Sequence, residues 1–197
     1  MRQRQRTKAE KCKRLGDVVL ALALGSVTLV PSLLICVLVK ATSPGPVLYW
    51  SQRIGLRNRR FMMPKFRSMR QGTPVVASHL LSQPDVHLTP IGDFLRRTSL
   101  DELPQIWSIL VGDMSFVGPR PALFNQNDLI GLRTELGVHE LIPGLTGWAQ
   151  VMGRDGLAVP IKADLDAQYL LRRSFTFDSY ILYLTLIKVL RREGVTH

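Results

Sequence analysis

The chain has 197 residues and a formal net charge of +11, and 46% of its residues are apolar. This length suits one domain with one core, and the apolar share excludes a wholly disordered chain. The two cysteines, Cys12 and Cys36, have no metal-binding spacing and define no disulfide framework, which fits a protein that faces the reducing cytosol. Cys12 precedes a long apolar run, so lipidation there is an alternative to an inert thiol.

The positive charge is concentrated in the first half of the chain. Residues 2–14 are rich in Lys and Arg and hold a single acid, Glu10, and residues 18–84 contain no acid. The electrostatic field of such a concentration of positive charge attracts phosphate groups, whether on nucleic acid, on anionic lipid or on a small substrate. Charge that serves only solubility usually mixes both signs.

Residues 18–39 form the first predicted element, an apolar run without a charge. The run is long enough to cross a bilayer, at about 20 residues per crossing. A secretory signal peptide is a competing interpretation, but no small-residue cleavage site follows. Pro31 lies inside the run and lacks a backbone N–H, and Gly25, Ser26 and Thr28 before it make a bend tolerable.

Both flanks of this run are basic, so the positive-inside rule selects no orientation. A helix that kinks near Pro31 and returns to the same face would bring both flanks to anionic lipid at one surface. We therefore expect a re-entrant membrane helix over 18–39 in preference to a straight span. It would lie between a basic N-terminal arm (1–17) and a cytoplasmic domain (40–197).

The remaining predicted elements are short. Gly and Pro punctuation and apolar periodicity predict a strand at 47–50, helices at 91–97, 101–111, 125–137 and 177–192, and irregular segments at 71–92, 118–121 and 143–147. The last helix is amphipathic and either packs on the core or lies on the membrane surface. The predicted fold is α/β and mostly helical, with a re-entrant helix hairpin and a compact cytoplasmic domain that carries short amphipathic surface helices.

The segment 96–105 is the sharpest candidate site, because two adjacent carboxylates, Asp101 and Glu102, follow two arginines. Two structural interpretations compete. Ser99 and Glu102 have capping-box spacing, or Asp101 is an N-cap with Pro104 in the first turn. In the catalytic interpretation one carboxylate attacks phosphorus, its neighbour holds Mg²⁺, and nearby arginines bind phosphate.

Two other segments carry basic residues in ordered patterns. Basic and apolar residues alternate at 65–69, which includes Lys65 and Arg67; this pattern indicates a strand with an outward cationic face, and a plain exposed strand is the alternative. Arg120 lies between two prolines, whose fixed φ would hold it stiffly. A stiff arginine is a good phosphate clamp, and an ordinary turn is the alternative.

The last candidate segment is rich in glycine. Residues 143–154 combine three glycines with Trp148, Gln150 and Arg154, a composition that indicates a shaped loop. The signal is weak by itself.

Taken together, these segments resemble the family of small monotopic phosphoglycosyl transferases, the bacterial sugar transferases. The resemblance covers nearly the whole chain. Any one motif is unspecific, whereas five in a fixed order are highly specific. The motifs are Lys13-Arg14-x-x-Asp17, Lys65-Phe66-Arg67-Ser68-Met69, Ser99-Leu100-Asp101-Glu102-Leu103, and the segments 112–121 and 143–150.

The resemblance implies transfer of a sugar-1-phosphate from a UDP-sugar to undecaprenyl phosphate, with release of UMP. This is the first membrane step of bacterial glycan assembly (O-antigen, capsule, exopolysaccharide or glycoprotein), at the cytoplasmic face of the inner membrane. It implies that Asp101 is the nucleophile that carries the phosphosugar, and that Glu102 and Asp101 hold Mg²⁺. The substrate-binding candidates are Lys65, Arg67, Arg96, Arg120, Gln150 and Arg154.

Two positions depart from the family pattern. Members often have Ser-Pro at the membrane kink, where this chain has Val30-Pro31, so the serine's hydrogen bond is missing. Many read Asn-Gly-Arg-Asn after the Gly-Trp-Ala-Gln segment, where this chain reads Met152-Gly153-Arg154-Asp155. Larger relatives carry an additional N-terminal membrane region, so the chain resembles the minimal catalytic form.

Other functions explain less of the sequence. A basic membrane-associated binder of nucleic acid or anionic lipid would account for the charge but not for the Asp101–Glu102 pair, and no nucleic-acid partner is expected. An inactive scaffold would not need that pair intact. Direct transfer in a ternary complex is an alternative to the covalent route. The expected partners are the UDP-sugar, undecaprenyl phosphate and membrane lipids, and a homodimer is left open.

Overall fold

The computed structural model describes residues 8–76, 84–153 and 156–191. Within these residues the chain is mostly helical with four short strands, which confirms the predicted balance of elements. The helices and strands are α1 (Lys8–Thr42), β1 (Leu48–Ile54), β2 (Arg60–Phe66), α2 (Gly92–Arg97), α3 (Gln105–Val111), β3 (Ser115–Val117), α4 (Asn127–Glu135), β4 (Gly144–Thr146), α5 (Trp148–Met152), α6 (Val159–Arg172) and α7 (Phe175–Arg191).

Helix α1 is continuous over 35 residues, with Pro31 in its interior. One face contacts the rest of the protein along its length, because buried and half-buried positions recur every three or four residues. These positions are Arg14, Val18, Ala21, Gly25, Thr28, Ser32, Ile35 and Val39. The opposite face is apolar and exposed, as at Val27 and Leu34.

This helix is long and apolar enough to cross a membrane. It begins at Lys8 and so includes part of the predicted arm. The predicted hairpin, with its return at Pro31, is not shown, because the helical assignment runs through the proline. A proline inside a helix removes one backbone hydrogen bond, and this helix retains its other turns on both sides.

Both ends of α1 contact the same domain. Near the N-terminal end, Lys13 pairs with Asp178 of α7 at 2.5 Å, and Arg14 donates hydrogen bonds to two carbonyls at the end of α3. Near the C-terminal end, Val39 is fully buried in a cluster that includes Phe66 of β2. The two ends of the helix therefore contact one and the same domain.

Strands β1 and β2 form an antiparallel hairpin in which Tyr49 lies opposite Lys65. The hairpin is longer than the predicted strand at 47–50, and β2 begins earlier than the predicted pattern at 65–69 and ends at Phe66. The turn between the strands places Arg57 and Asn58 in the left-handed region. The hairpin presents Lys65 toward the candidate site.

The core lies where α1, α3, β3, α6 and α7 meet. Its buried members include Ala21, Ile109, Phe116, Tyr169 and Ile181. Strands β3 and β4 are parallel neighbours at the centre of this cluster. A glycine is required where β3 ends, because a side chain on Gly118 would collide with the backbone of 142–144.

Several predicted helices are confirmed, with shifted ends. The predictions at 91–97 and 125–137 correspond to α2 and α4, and the tail prediction corresponds to α7, although residue 192 lies outside the described residues. Core packing of the tail is confirmed at Ile181, which is fully buried, whereas Tyr183 and Leu186 are exposed.

Other elements differ from the prediction. The predicted helix at 101–111 divides into a 3-10 turn at Leu100–Glu102 and helix α3. The predicted irregular segment at 143–147 contains β4, and it leads into α5. A strand of three residues is too short to show an alternating apolar pattern, so β4 could not be predicted from periodicity. Helix α6 was not predicted at all.

Candidate active site

Asp101 and Glu102 lie in the 3-10 turn between α2 and α3. Ser99 precedes this turn with a φ of 57°, in the left-handed region, so the chain reverses sharply after α2. Both capping interpretations are wrong: no side chain caps the 3-10 turn or α3, and the residue before α3 is Pro104. The carboxylates are instead free to point toward basic residues from other elements.

Glu102 is held by two cations. Its Oε1 accepts hydrogen bonds from Lys65 Nζ at 2.7 Å and from Arg120 Nη2 at 2.9 Å. Burial by itself raises the pKa of Glu102, but the charges of Arg120 and Lys65 outweigh burial and hold the pKa well below its usual range. Glu102 is therefore ionised and neutralised by its partners across the physiological pH range.

Asp101 differs from its neighbour. Its side chain is 10% exposed and accepts no hydrogen bond from the described residues, and Lys65 Nζ lies 3.9 Å from its Oδ2. Burial raises the pKa of Asp101 to about 6, against the opposing charge of Lys65 and with a further rise from Glu102. At neutral pH Asp101 is mostly ionised, yet no donor is committed to its oxygens, which suits a nucleophile.

The turn that carries Arg120 is fixed by its own carbonyls. The carbonyl of Pro119 accepts from the N–H of Gly144 at 2.9 Å, that of Arg120 accepts from Arg133 at 2.8 Å, and that of Pro121 accepts from Arg53 at 3.2 Å. The predicted irregular segment at 118–121 is confirmed. These three hydrogen bonds, in addition to the two prolines, make the segment rigid. The backbone of Arg120 is held in place before any ligand binds.

The other predicted binding residues have different surroundings. Arg96 lies on α2, lines the same cavity as Asp101 and lowers the pKa of Asp101 through its charge. Arg67 is 5% exposed, and its Nη atoms bond to the backbone and hydroxyl of residues 43–44 just after α1. The amide nitrogen of Gln150 donates to the carbonyl of Leu145, whereas its Oε1 is buried without a partner among the described residues.

Arg154, the last of these candidates, and the neighbouring Asp155 lie outside the described residues. The remaining candidates share one cavity, which has a volume of about 940 Å³. Its only acids among the described lining residues are Asp101 and Glu102. The basic residues that line it are Arg53, Lys65, Arg67, Arg70, Arg96, Arg120, Arg133, Lys162 and Lys188. The cavity therefore favours ligands that carry several negative charges.

The carboxylate pair suits Mg²⁺ in kind. Magnesium is usually held by one or two carboxylates together with substrate phosphates and water. The hydrogen bonds to Glu102 end on Oε1, so Oε2 and the oxygens of Asp101 accept none from the described residues. No group of three or more His, Cys, Asp or Glu in the described ranges could hold a metal alone, so phosphate oxygens of the substrate would have to complete the coordination.

Sequence reasoning missed one functional pair. Arg133 of α4 binds Asp166 of α6 through Nε at 2.9 Å and Nη2 at 2.6 Å, and both side chains are buried. The same guanidinium supports the carbonyl of Arg120. Asp166 belongs to the helix that the sequence did not predict, and a lone Asp in an unassigned segment carries no signal.

These features define a class of site: two buried carboxylates in unlike charge environments, in a cationic cavity beside a long apolar helix. The sequence model of the family described as bacterial sugar transferase matches residues 8–192. The chain is 40% identical over 185 residues to the "Uncharacterized sugar transferase EpsL" of Bacillus subtilis (strain 168), a match that covers 93% of this chain and 89% of that protein.

Two further relatives have names that state a reaction. The chain is 38% identical over 187 residues to the "UDP-glucose:undecaprenyl-phosphate glucose-1-phosphate transferase" of Escherichia coli (strain K12), which covers 89% of this chain and 39% of that protein. It is 35% identical over 163 residues to the "UDP-N-acetylgalactosamine-undecaprenyl-phosphate N-acetylgalactosaminephosphotransferase" of Aeromonas hydrophila, which covers 80% of this chain and 38% of that protein. The chain spans less than half the length of these two relatives.

The chain belongs to the bacterial sugar transferase family, whose members include phosphoglycosyl transferases. The resemblance stated from the sequence motifs is thereby confirmed.

Proposed function

We propose that this chain transfers a sugar-1-phosphate from a UDP-sugar to undecaprenyl phosphate, with release of UMP, at the cytoplasmic face of the bacterial inner membrane. The observation that carries the proposal is the contrast between adjacent carboxylates. Glu102 is neutralised by Lys65 and Arg120, whereas Asp101 borders the cationic cavity with no hydrogen-bond donor committed to it. The named reactions of two relatives support the donor and acceptor classes.

The proposed transfer is two successive displacements at one phosphorus. An oxygen of Asp101 attacks the phosphorus that bears the sugar, the bond from this phosphorus to the oxygen that bridges it to UMP breaks, and UMP leaves with the electron pair. A phosphate oxygen of undecaprenyl phosphate then attacks the same phosphorus. The bond to Asp101 breaks, the carboxylate is restored, and the product is a polyprenyl diphosphate sugar.

The cations around the pair would stabilise the charge that develops on the phosphate oxygens. Arg120 is preorganised by its fixed backbone, and Arg96 donates no hydrogen bond to the described residues, so its guanidinium is free to take up phosphate. Asp101 and Oε2 of Glu102 are the oxygens that would hold Mg²⁺. When bound, this ion would neutralise charge on the diphosphate.

We also propose that α1 is re-entrant. This proposal is supported by contacts at both ends of the helix: Lys13 and Val39 contact the same domain. Because this domain lies on one face of the membrane, both ends of α1 must lie on that face. A cysteine placed at Lys8 and another at Lys65, each in a background without Cys12 and Cys36, should react with an impermeant thiol reagent from the same side. Labelling from opposite sides would establish a span instead.

The reaction is tested by UMP release from purified protein in nanodiscs with Mg²⁺. Each member of a panel of UDP-sugars is supplied with and without undecaprenyl phosphate. Sustained release that depends on one UDP-sugar and on the lipid would establish the reaction and identify the donor. Absence of release from folded protein with every donor would count against the proposal.

The covalent step is tested separately by mass spectrometry. After incubation with the active UDP-sugar and without acceptor, the peptide that contains Asp101 should gain the mass of the phosphosugar. Asp101→Asn should not gain it. An active enzyme that never shows this adduct, and that releases UMP only when both substrates are present, would indicate direct transfer in a ternary complex.

A further inference from the structure

The catalytic cavity extends to the apolar helix. Besides Asp101, the residues that line it include Leu24 and Thr28 of α1 and Leu182 and Val189 of α7. The wall between the two helices is formed by apolar residues of α3, β3 and β4, namely Ile106, Phe116 and Leu145. A continuous space therefore connects the carboxylates with the two helices.

The two helices are joined near their N-terminal ends. Lys13 pairs with Asp178 there at 2.5 Å, and one or two turns further on, Ala21 and Ile181 are fully buried in one core cluster. Beyond this point Leu24 and Leu182 line the cavity instead of closing it. Both helices therefore line one cavity, and we call the part bordered by Leu24, Thr28, Leu182 and Val189 the cleft between α1 and α7.

The hydroxyl groups that the two helices present to this cleft are already paired. The hydroxyl of Thr28 donates to the carbonyl of Leu24 at 2.7 Å. The hydroxyl of Thr185 donates to the carbonyl of Ile181 at 2.8 Å and shares a hydrogen bond with Thr146. Such walls suit an apolar ligand, because a sugar or a uracil buried here would lose its hydrogen bonds to water without replacement.

Both helices present apolar side chains on their outer faces as well. On α1, Leu22 and Val27 are 57% and 75% exposed, and on α7, Tyr183 and Leu186 are 59% and 58% exposed. Large apolar surfaces of this kind mark contact with a membrane or a partner. The two helices that line the cavity therefore also carry surfaces that suit lipid.

We infer that the isoprenoid chain of the acceptor enters the site through the cleft between α1 and α7. This inference rests on the proposed function and assigns the place of its second substrate. The acceptor has one phosphate and a long apolar chain, and the cavity has the matching polarity: cations near Asp101 and apolar walls at Leu24, Leu182 and Val189. The chain can thus stay in lipid while its phosphate reaches the carboxylate.

The test fills the cleft and compares it with matched positions on the outer faces. Leu24→Trp and Leu182→Trp add bulk inside the cleft, and Leu22→Trp and Leu186→Trp add the same bulk on the outer face of the same helix. Each variant is assayed in nanodiscs with the UDP-sugar that supports turnover. The measured quantities are the mole fraction of undecaprenyl phosphate that gives half-maximal rate, and kcat/KM for the UDP-sugar at saturating acceptor.

We expect the two cleft variants to need about tenfold more undecaprenyl phosphate, because a filled wall excludes part of the chain. Their kcat/KM for the UDP-sugar should stay within about twofold of the wild type, since the donor does not use these walls. Both outer-face variants should match the wild type in both quantities.

The result that overturns the inference is a wild-type acceptor requirement in Leu24→Trp, or an equal increase in Leu22→Trp. Leu24 is 38% exposed, so this position tolerates a larger side chain. The comparison of Leu24→Trp with Leu22→Trp therefore tests the inference even if Leu182→Trp does not fold. A wild-type protein that uses no UDP-sugar would instead refute the proposed function, and the inference with it.

Discussion

Replacing Asp101 by Asn should stabilise the protein while it abolishes turnover. Burial raises the pKa of Asp101 from 3.8 to about 6, so the ionised carboxylate costs folding free energy at neutral pH. A rise of about two units corresponds to about 3 kcal/mol, at about 1.36 kcal/mol per unit. Asparagine brings an amide that the site does not pair, which offsets part of this gain, and we expect a net stabilisation of about 1 to 2 kcal/mol.

The gain should depend on pH with a defined sign. The pKa of Asp101 is higher in the folded state than in the unfolded state, so the folded state holds the proton more tightly between these values. The contribution of Asp101 to stability is therefore fully present below about pH 4 and is lost as the pH rises through about 6. Asp101→Asn should raise Tm most near pH 7.5, and this gain should fall through zero toward pH 4, where only the cost of the unpaired amide remains.

The assay is thermal unfolding in detergent with EDTA, so that no divalent ion binds the carboxylates. For a chain of this size, about 1 kcal/mol corresponds to about 2 to 4 °C in Tm. The matched control is Glu102→Gln at the adjacent position. Arg120 and Lys65 hold the pKa of Glu102 below its usual range, so this variant should lower Tm at pH 7.5 because it removes the carboxylate that both cations bind.

A fall in Tm for Asp101→Asn at pH 7.5 would refute the reasoning. A gain in Tm that is the same at every pH would also refute it, because the gain would then not come from the charge of the carboxylate.

Three further substitutions separate binding from structural roles. Arg96→Gln should lower kcat/KM by about 10- to 100-fold with little change in Tm, because its guanidinium donates no hydrogen bond to a described residue and can bind phosphate. Arg67→Gln should instead lower the free energy of unfolding by about 2 to 4 kcal/mol in a chemical denaturation, because the buried guanidinium holds the backbone at Ser43. A loss of affinity for the UDP-sugar without a loss of stability would support its predicted role in substrate binding. Asp166→Asn should cost about 3 to 5 kcal/mol by the same measurement, since it leaves the buried guanidinium of Arg133 without its carboxylate, and unchanged stability would show that this pair is not needed.

The local pattern of the chain was enough to select the candidate carboxylate pair. Two carboxylates after two arginines, an arginine between prolines and an uncharged apolar run are all visible over a few residues. Each of them reflects chemistry that neighbouring residues determine, namely charge, fixed φ and hydropathy. The predictions at Asp101, Glu102, Arg120 and α1 could therefore be made before any fold was known.

The roles within that pair depend on contacts between distant parts of the chain. Lys65 reaches Glu102 across 37 residues of sequence, and Asp166 reaches Arg133 across 33. No local pattern distinguishes Glu102, which two cations neutralise, from Asp101, which accepts no hydrogen bond from the described residues. The same holds for Arg67, a candidate for substrate binding, because only the fold brings residues 43–44 to its guanidinium.

The cleft between α1 and α7 is likewise a product of tertiary structure. In the sequence, Leu22 and Leu24 are equivalent apolar residues of one run, and only the packing of α1 against α3 places one on the outer face and the other in the wall of the cavity. The sequence by itself determined which residues carry charge and which are apolar. The tertiary structure decided which of them face each other, because burial and electrostatic pairing depend on distances in space that residue spacing along the chain does not specify.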